Sequence, residues 1–370
     1  MNPMSTELLL AAVVVLMAGA ALLVVERLAA HGRLASWTVA VGCCVLGIST
    51  VVATALGLVR GLDLFGVLHL WYLVLVVALP LTGLGLLVLA GRREGTTATV
   101  VLAALMLVPA PIGVYSTHIE PFRLELDERR VAVASTRSGT ATVRVGVLAD
   151  LQTTGVGDHE RRAVQELLDA QPDVIVLPGD LFHGDDAELE REAPAIRRLL
   201  GQLDAPGGVY FVEGDVDGHG RPEAILPEGI RRLDDEVVQV QVADRTLRIG
   251  GTNLDYASSA AERVRQELLE PRDAITLLVS HRPDTVLQLP ADSGIDLVVA
   301  GHTHGGQVAL PMFGPPLTLL AVPRQVGAGG LHEVRGNPIY VSTGVGMERG
   351  QAPQLRFGVR PSVAVLEVGA

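Results

Sequence analysis

Lysine is absent from this 370-residue chain, and all 29 basic residues are arginine. With abundant Ala, Val, Leu and Gly, that usage points to GC-rich coding and says nothing about chemistry. Cysteine is nearly absent too. The two present, Cys43 and Cys44, are adjacent inside an apolar run, so no disulfide or zinc–cysteine framework can be built. Charge is scarce in the first 115 residues, where Arg27, Arg33, Arg60, Arg92 and Arg93 face Glu7, Glu26, Asp63 and Glu94. Against a total of −12, that +1 leaves −13 on the rest. So acidic a remainder argues against nucleic acid as a bulk electrostatic partner. A small phosphorylated substrate stays open, because bound metals can reverse the local sign.

Four apolar runs fill the charge-poor part: Leu8–Val25, Trp37–Val59, Leu64–Ala90 and Thr97–Tyr115. Each is about the length needed to cross hydrocarbon as a helix. They are apolar all round, which fits poorly with core helices showing one buried stripe. A secretory signal accounts only for the first, and that run lacks a basic start. Trp37, Trp71, Tyr72 and Tyr115 lie toward run ends, where aromatic belts sit. Loops one and three carry Arg27, Arg33, Arg92 and Arg93, whereas loop two has only Arg60. The positive-inside rule then places those two loops in the cytoplasm and both termini outside. The expected organisation is a four-helix transmembrane region over 1–116, a connector over 117–141 and an extracytoplasmic domain over 142–370. The lipid bilayer is the first expected partner.

The connector HIEPFRLELDERRVAVAS reads as a link or an edge strand. Beyond Thr142, TVRVGVLAD, DVIVLPGD, GVYFVEGD, AITLLVSH and IDLVVAGHTH each read as a buried strand. Between them HERRAVQELLDA, AELEREAPAIRRLLGQL and ASSAAERVRQELLE show helical spacing, and VVQVQVADRTLRIGG reads as a hairpin turning at Ala243–Asp244. The pattern is α/β (α+β), with sheets covered by helices.

Those five strands end alike. Each apolar run stops and is followed by an acid or an imidazole: Asp150, Asp180, Asp215, His281, and His302 with His304. Alone, any of these is an ordinary turn or cap residue. Ligands in layered α/β folds gather outside the carboxyl ends of strands, so five such tips form a constellation. Glycines in PGD, EGD, AGH and HGG let the backbones crowd around a centre.

With these blocks in view, the sequence resembles the calcineurin-like metallophosphoesterases, in particular a bacterial membrane-attached branch with a GHTHGGQ block, here Gly301–Gln307. The resemblance runs from about Val143 to the end, including IYVSTGVG and QLRFGVRP. It implies a two-sheet β-sandwich flanked by helices, and two divalent metal ions (Mn, Fe or Zn). It also implies phosphoester hydrolysis by metal-activated hydroxide. In the family's roles, Asp180 bridges the metals. Asp150 and His304 hold one, with Gln152 offering at most a carbonyl oxygen. His281 and His302 hold the other, with Asp215 supplying a ligand oxygen where the family has Asn.

Two blocks depart from the family pattern. Gln152 stands where a metal-binding His is usual. Asp215 replaces a ligand Asn, and Val216 replaces a catalytic His. The third block closes on Asp217, which with His219 makes the candidate catalytic pair, while His159 and His183 are candidates to line a groove. Val216 cannot protonate a leaving group, a contribution worth roughly 10²–10⁴ in rate. The expected substrate is therefore a phosphate ester or pyrophosphate with a good leaving group, small or lipid-linked. One alternative is a catalytically degenerate relative that binds metal or a phosphate ligand as sensor or scaffold. A transporter is a third reading. It is disfavoured because the apolar runs hold almost no ionisable residue besides His69.

Overall fold

The computed structural model describes residues 3–369 apart from 31, 134–136, 138, 219, 271 and 272. The chain divides into two compact units, residues 1–119 with 348–354, and residues 120–347 with 355–370.

The first unit is helical. Four candidate spans, Glu7–Leu28, Ser36–Val59, Leu64–Arg92 and Thr97–Phe122, are each long and apolar enough to cross a membrane, the last running on into the start of the second unit. The third span is interrupted by a wide turn over Val74–Ala78, just ahead of Pro80. The fourth breaks between Leu105 and Pro109. Proline lacks the N–H that would close the preceding helical turn, so both interruptions have a local cause. Asp63 caps the third span, accepting from the Gly66 amide at 2.8 Å.

The second unit contains two six-stranded sheets. The first has the order β1 (Glu125–Val131), β12 (Ser362–Val368), β2 (Val143–Val147), β3 (Val174–Leu177), β4 (Val209–Phe211) and β5 (Ile230–Arg232). The second has the order β10 (Gly330–Val334), β11 (Asn337–Val341), β9 (Leu297–Ala300), β8 (Ile275–Ser280), β7 (Arg245–Thr252) and β6 (Glu236–Val242). Strands β2 to β5 run parallel, as do β7, β8, β9 and β11. The fold is the two-sheet, helix-flanked architecture expected from sequence. The connector supplies β1 at the edge of the first sheet, and the hairpin of β6 and β7 turns where the sequence indicated.

Side-chain alternation builds the layers. Val174 and Val176 face inward and pack with Leu277, Val279 and Val299 of the opposite sheet. Ile175 and Leu177 face outward under Val164, Leu167, Ile196 and Leu199 of the helices Asp158–Asp169 and Asp186–Leu200. On the far side, Val264 and Leu268 of the helix Ser259–Leu269 cover Leu278 and Val298. This helix–sheet–sheet–helix stack brings the carboxyl ends of β2, β3, β4, β8 and β9 to one edge.

Candidate metal centre

Each parallel strand stops where its apolar run stops, and the next residues turn sharply. Asp150, Gln152, Asp180, His302 and His304 all have positive φ, between 35° and 74°. Such backbone costs about 1–3 kcal/mol per residue outside glycine and concentrates at functional sites. Asp217 holds part of this geometry. Its Oδ2 accepts from the amides of Asp180 (2.6 Å) and Gly214 (2.9 Å), and its Oδ1 from the amide of Leu181 (2.8 Å). The expected catalytic role for Asp217 therefore needs correction. Both of its oxygens are engaged by backbone at full burial, and the residue ties the tips of β3 and β4 together. Its partner in that expectation, His219, lies outside the described residues.

The remaining tips converge. Asp150, Asp180 and His281 each present a ligand atom, all within 4.8 Å of one another, and Asp215, His281 and His302 form a second such group. His281 belongs to both. His304 is buried beside Asp150: a Cβ at Gly344 would lie 3.1 Å from Asp150 Oδ2 and 3.2 Å from His304 Nδ1. Glycine is required at Gly301 as well, where a Cβ would meet Asp150 Oδ2 at 2.5 Å. The His302 amide donates to Asp150 Oδ1 at 2.8 Å, locking β9's tip to β2's.

Three features fit a cation. His281 Nδ1 donates to the Pro178 carbonyl at 2.7 Å, which fixes the ring and aims Nε2 at the cluster. That Nε2 lies 2.6 Å from Asp215 Oδ1 and 3.4 Å from Asp180 Oδ2, so a proton or another positive charge must sit among them. Asp150 Oδ2 and His304 Nε2 are buried without a hydrogen-bond partner, a costly state that a coordinated ion would relieve.

The electrostatics agree. Burial pushes Asp150 well above the usual carboxylate range, and Asp180 adds to it; Asp180 itself is raised by burial. Burial lowers His281, but Asp180, Asp215 and Asp150 outweigh it and hold it at about 10. Burial opposes ionisation of Asp215, yet hydrogen bonds from His281 and His302 hold it below the usual range. Burial, then Arg356, pushes His304 well below a normal histidine, so its ring stays neutral, as a metal ligand must.

The other sequence candidates fall as follows. Gln152 donates its amide to Asp180 Oδ2 at 2.8 Å. The Val216 amide donates to Asp180 Oδ1 at 3.0 Å. His159 bonds the Val345 carbonyl at 3.0 Å and stands edge-on to Phe122, while the His183 amide bonds the Thr153 carbonyl at 3.0 Å. Sequence reasoning missed Arg356. Fully buried, it donates to the carbonyls of Thr343 and Gly344 at 2.8 and 3.0 Å and lies 3.4 Å from His304 Nδ1. The only signal was its place in the quoted QLRFGVRP stretch.

Residues 143–306 match the family model described as calcineurin-like phosphoesterase. Over 268 residues the chain is 26% identical to an uncharacterized metallophosphoesterase, YkuE, of Bacillus subtilis, covering 68% of this chain and 87% of that one. It is 27% identical over 293 residues to the phosphodiesterase YaeI of Escherichia coli, covering 75% and 98%. Among solved structures, the calcineurin-like phosphoesterase YfkN of Bacillus subtilis aligns with 56% of this chain and 83% of that chain at 10% identity. Its TM-score of 0.38 is too low to carry weight. The strand tips therefore sit in a calcineurin-like metallophosphoesterase domain, matched over residues 143–306, and both of these relatives carry phosphoesterase names.

Proposed function

We propose that this chain is a membrane-anchored phosphoesterase with a binuclear metal site, acting on an ester or pyrophosphate with a good leaving group. The observation that carries the reading is the pair of ligand groups sharing His281, beside the partnerless Asp150 Oδ2 and His304 Nε2. Asp150 and His304 would hold one ion, His281, His302 and Asp215 the other, with Asp180 between. Two divalent cations (Mn, Fe or Zn) would supply Lewis acidity and a water of lowered pKa. The chain's own residues fix the ligands: Pro178 orients His281, burial and then Arg356 keep His304 neutral, and Asp217 sets the turn that carries Asp180. Val216 has no proton to give, so the leaving group must depart without one from that position.

The four-to-one arginine bias of the loops supports a domain outside the cytoplasmic membrane, within reach of a lipid-linked phosphate. A second reading rests on Gln152, whose amide is already bonded to the carboxylate placed between the two ions. There the site binds metal or phosphate without turnover. Purified full-length chain, assayed for bound metal and for hydrolysis of an aryl phosphodiester with and without chelator, separates the two. Bound metal with chelator-sensitive turnover supports the enzyme, and bound metal with no turnover supports the sensor. Chain that takes up no transition metal overturns both.

A further inference from the structure

Past Phe122, the exposed large hydrophobic side chains among the described residues are Leu310, Met312, Phe313, Leu317 and Leu319. All five fall within one ten-residue loop that leaves the GHTHGGQ block. Leu310 and Gly314 close a tight turn through paired backbone hydrogen bonds of 3.0 and 2.9 Å, which pushes Met312 and Phe313 outward. Met312 is fully exposed and Phe313 is 69% exposed. A soluble domain rarely leaves such a cluster in water without an occupant.

Charge indicates the occupant. Although the chain has 41 acidic residues, none lies between Leu297 and His332, and the only full charge there is Arg324, whose guanidinium stands 5.9 Å from the Phe313 ring. An apolar tip with a cation behind it, on a stretch with no acid of its own, matches the interface of an anionic bilayer; the one carboxylate beneath it, Asp284, is buried against the Ala321 and Val322 amides. A bilayer is also near at hand. The fourth candidate span ends at Phe122 and β1 begins at Glu125, a link of Arg123 and Leu124. At about 3.3–3.6 Å per extended residue, so short a link limits how far the domain can stand from the end of the span.

We infer that the 310–319 loop enters the interface of the chain's own membrane, with Met312 and Phe313 at its tip. The base of the loop packs on the histidine turn, where a Cβ at Gly306 would lie 2.9 Å from the Leu317 carbonyl. The loop thus places the candidate metal centre at headgroup level. If the phosphoesterase reading above is right, it selects a phosphate carried on a lipid.

The test uses full-length chain in nanodiscs of phosphatidylethanolamine and phosphatidylglycerol, with Cys43 and Cys44 replaced by Ser. An environment-sensitive fluorophore is placed at Met312→Cys, at Phe313→Cys as an independent site, and at exposed Gln202→Cys as the aqueous reference. Quenching at 312 and 313 by a nitroxide lipid, with iodide quenching several-fold weaker than at 202, supports the inference. Labels at 312 and 313 that behave like the one at 202 overturn it. Shielding from iodide without nitroxide quenching also overturns it, in favour of a protein partner or a second copy. None of these readouts needs activity. In a chain that does hydrolyse phosphate esters, Phe313→Glu should lower turnover of a lipid-linked ester at least several-fold and leave a water-soluble one unchanged. Equal loss on both overturns the substrate inference alone.

Discussion

The two halves of the candidate centre are made differently. Around Asp215, His281 and His302, acid and imidazole face each other at 2.6 to 3.3 Å; Asp215 favours the charged form of His281, and hydrogen bonds from both rings favour the Asp215 carboxylate. Around Asp150 and His304 the compensation falls short: burial outweighs the His281 charge and the His302 amide at the acid, the imidazole is kept neutral, and each residue keeps one atom partnerless. One half is balanced by its own residues, and the other leaves buried polar atoms that no described residue satisfies. A site evolved only for stability would have no reason to keep the second half, since an unpaired buried polar group costs about 1–3 kcal/mol. The asymmetry makes Asp150 and His304 the half of the proposed site in which a bound cation would change the most.

The largest effect should come from Asp150→Asn, which keeps the acceptor for the His302 amide but removes the charge. Losing transition-state charge stabilisation worth several kcal/mol corresponds to about a thousandfold fall in turnover. In chelator-treated chain the same change should raise the domain's melting temperature by a few degrees, because a destabilising buried acid is gone. A fall in both activity and ion-free stability would erase the contrast between the two halves.

Asp217→Asn probes the scaffold beneath both halves. Asn offers one side-chain acceptor where three backbone amides now donate to two oxygens. Metal affinity should weaken about 10–100-fold, as for other supporting residues around a metal, with lower thermal stability. Turnover at saturating metal should stay close to the parent value. A collapse of that saturated rate, with metal affinity intact, would restore Asp217 as a catalytic group.

The residues that were legible in the sequence share one property. A buried parallel strand is a continuous apolar run, so its end is visible wherever an acid or histidine breaks it. That is how Asp150, Asp180, Asp215, His281 and His302 could be placed at one edge. Asp217 was misread because sequence does not record which way a carboxylate faces; its oxygens meet amides rather than the cluster. Arg356 was invisible for another reason. It reaches His304 across 52 positions through a bend at residues 343–346, and no local pattern encodes that approach. The apolar loop at 310–319 reads like core, and only its exposure in the fold separates it from one.

The smallest effect, and the most direct comparison of the two halves, belongs to Asp215→Asn. Asp215 gives the centre a third carboxylate, which should tighten metal binding and repel an anionic substrate. Removing that charge should loosen metal uptake and raise kcat/KM for a phosphodiester several-fold once metal is saturating. In the ion-free chain the sign opposes that of Asp150→Asn, because the Asp215 carboxylate partners His281 and His302 there, and its loss should lower the melting temperature. Metal titration with kinetics on the same preparation checks both signs. Unchanged metal content with slower hydrolysis would mean that Asp215 works on the substrate rather than on the balance of its own half-site.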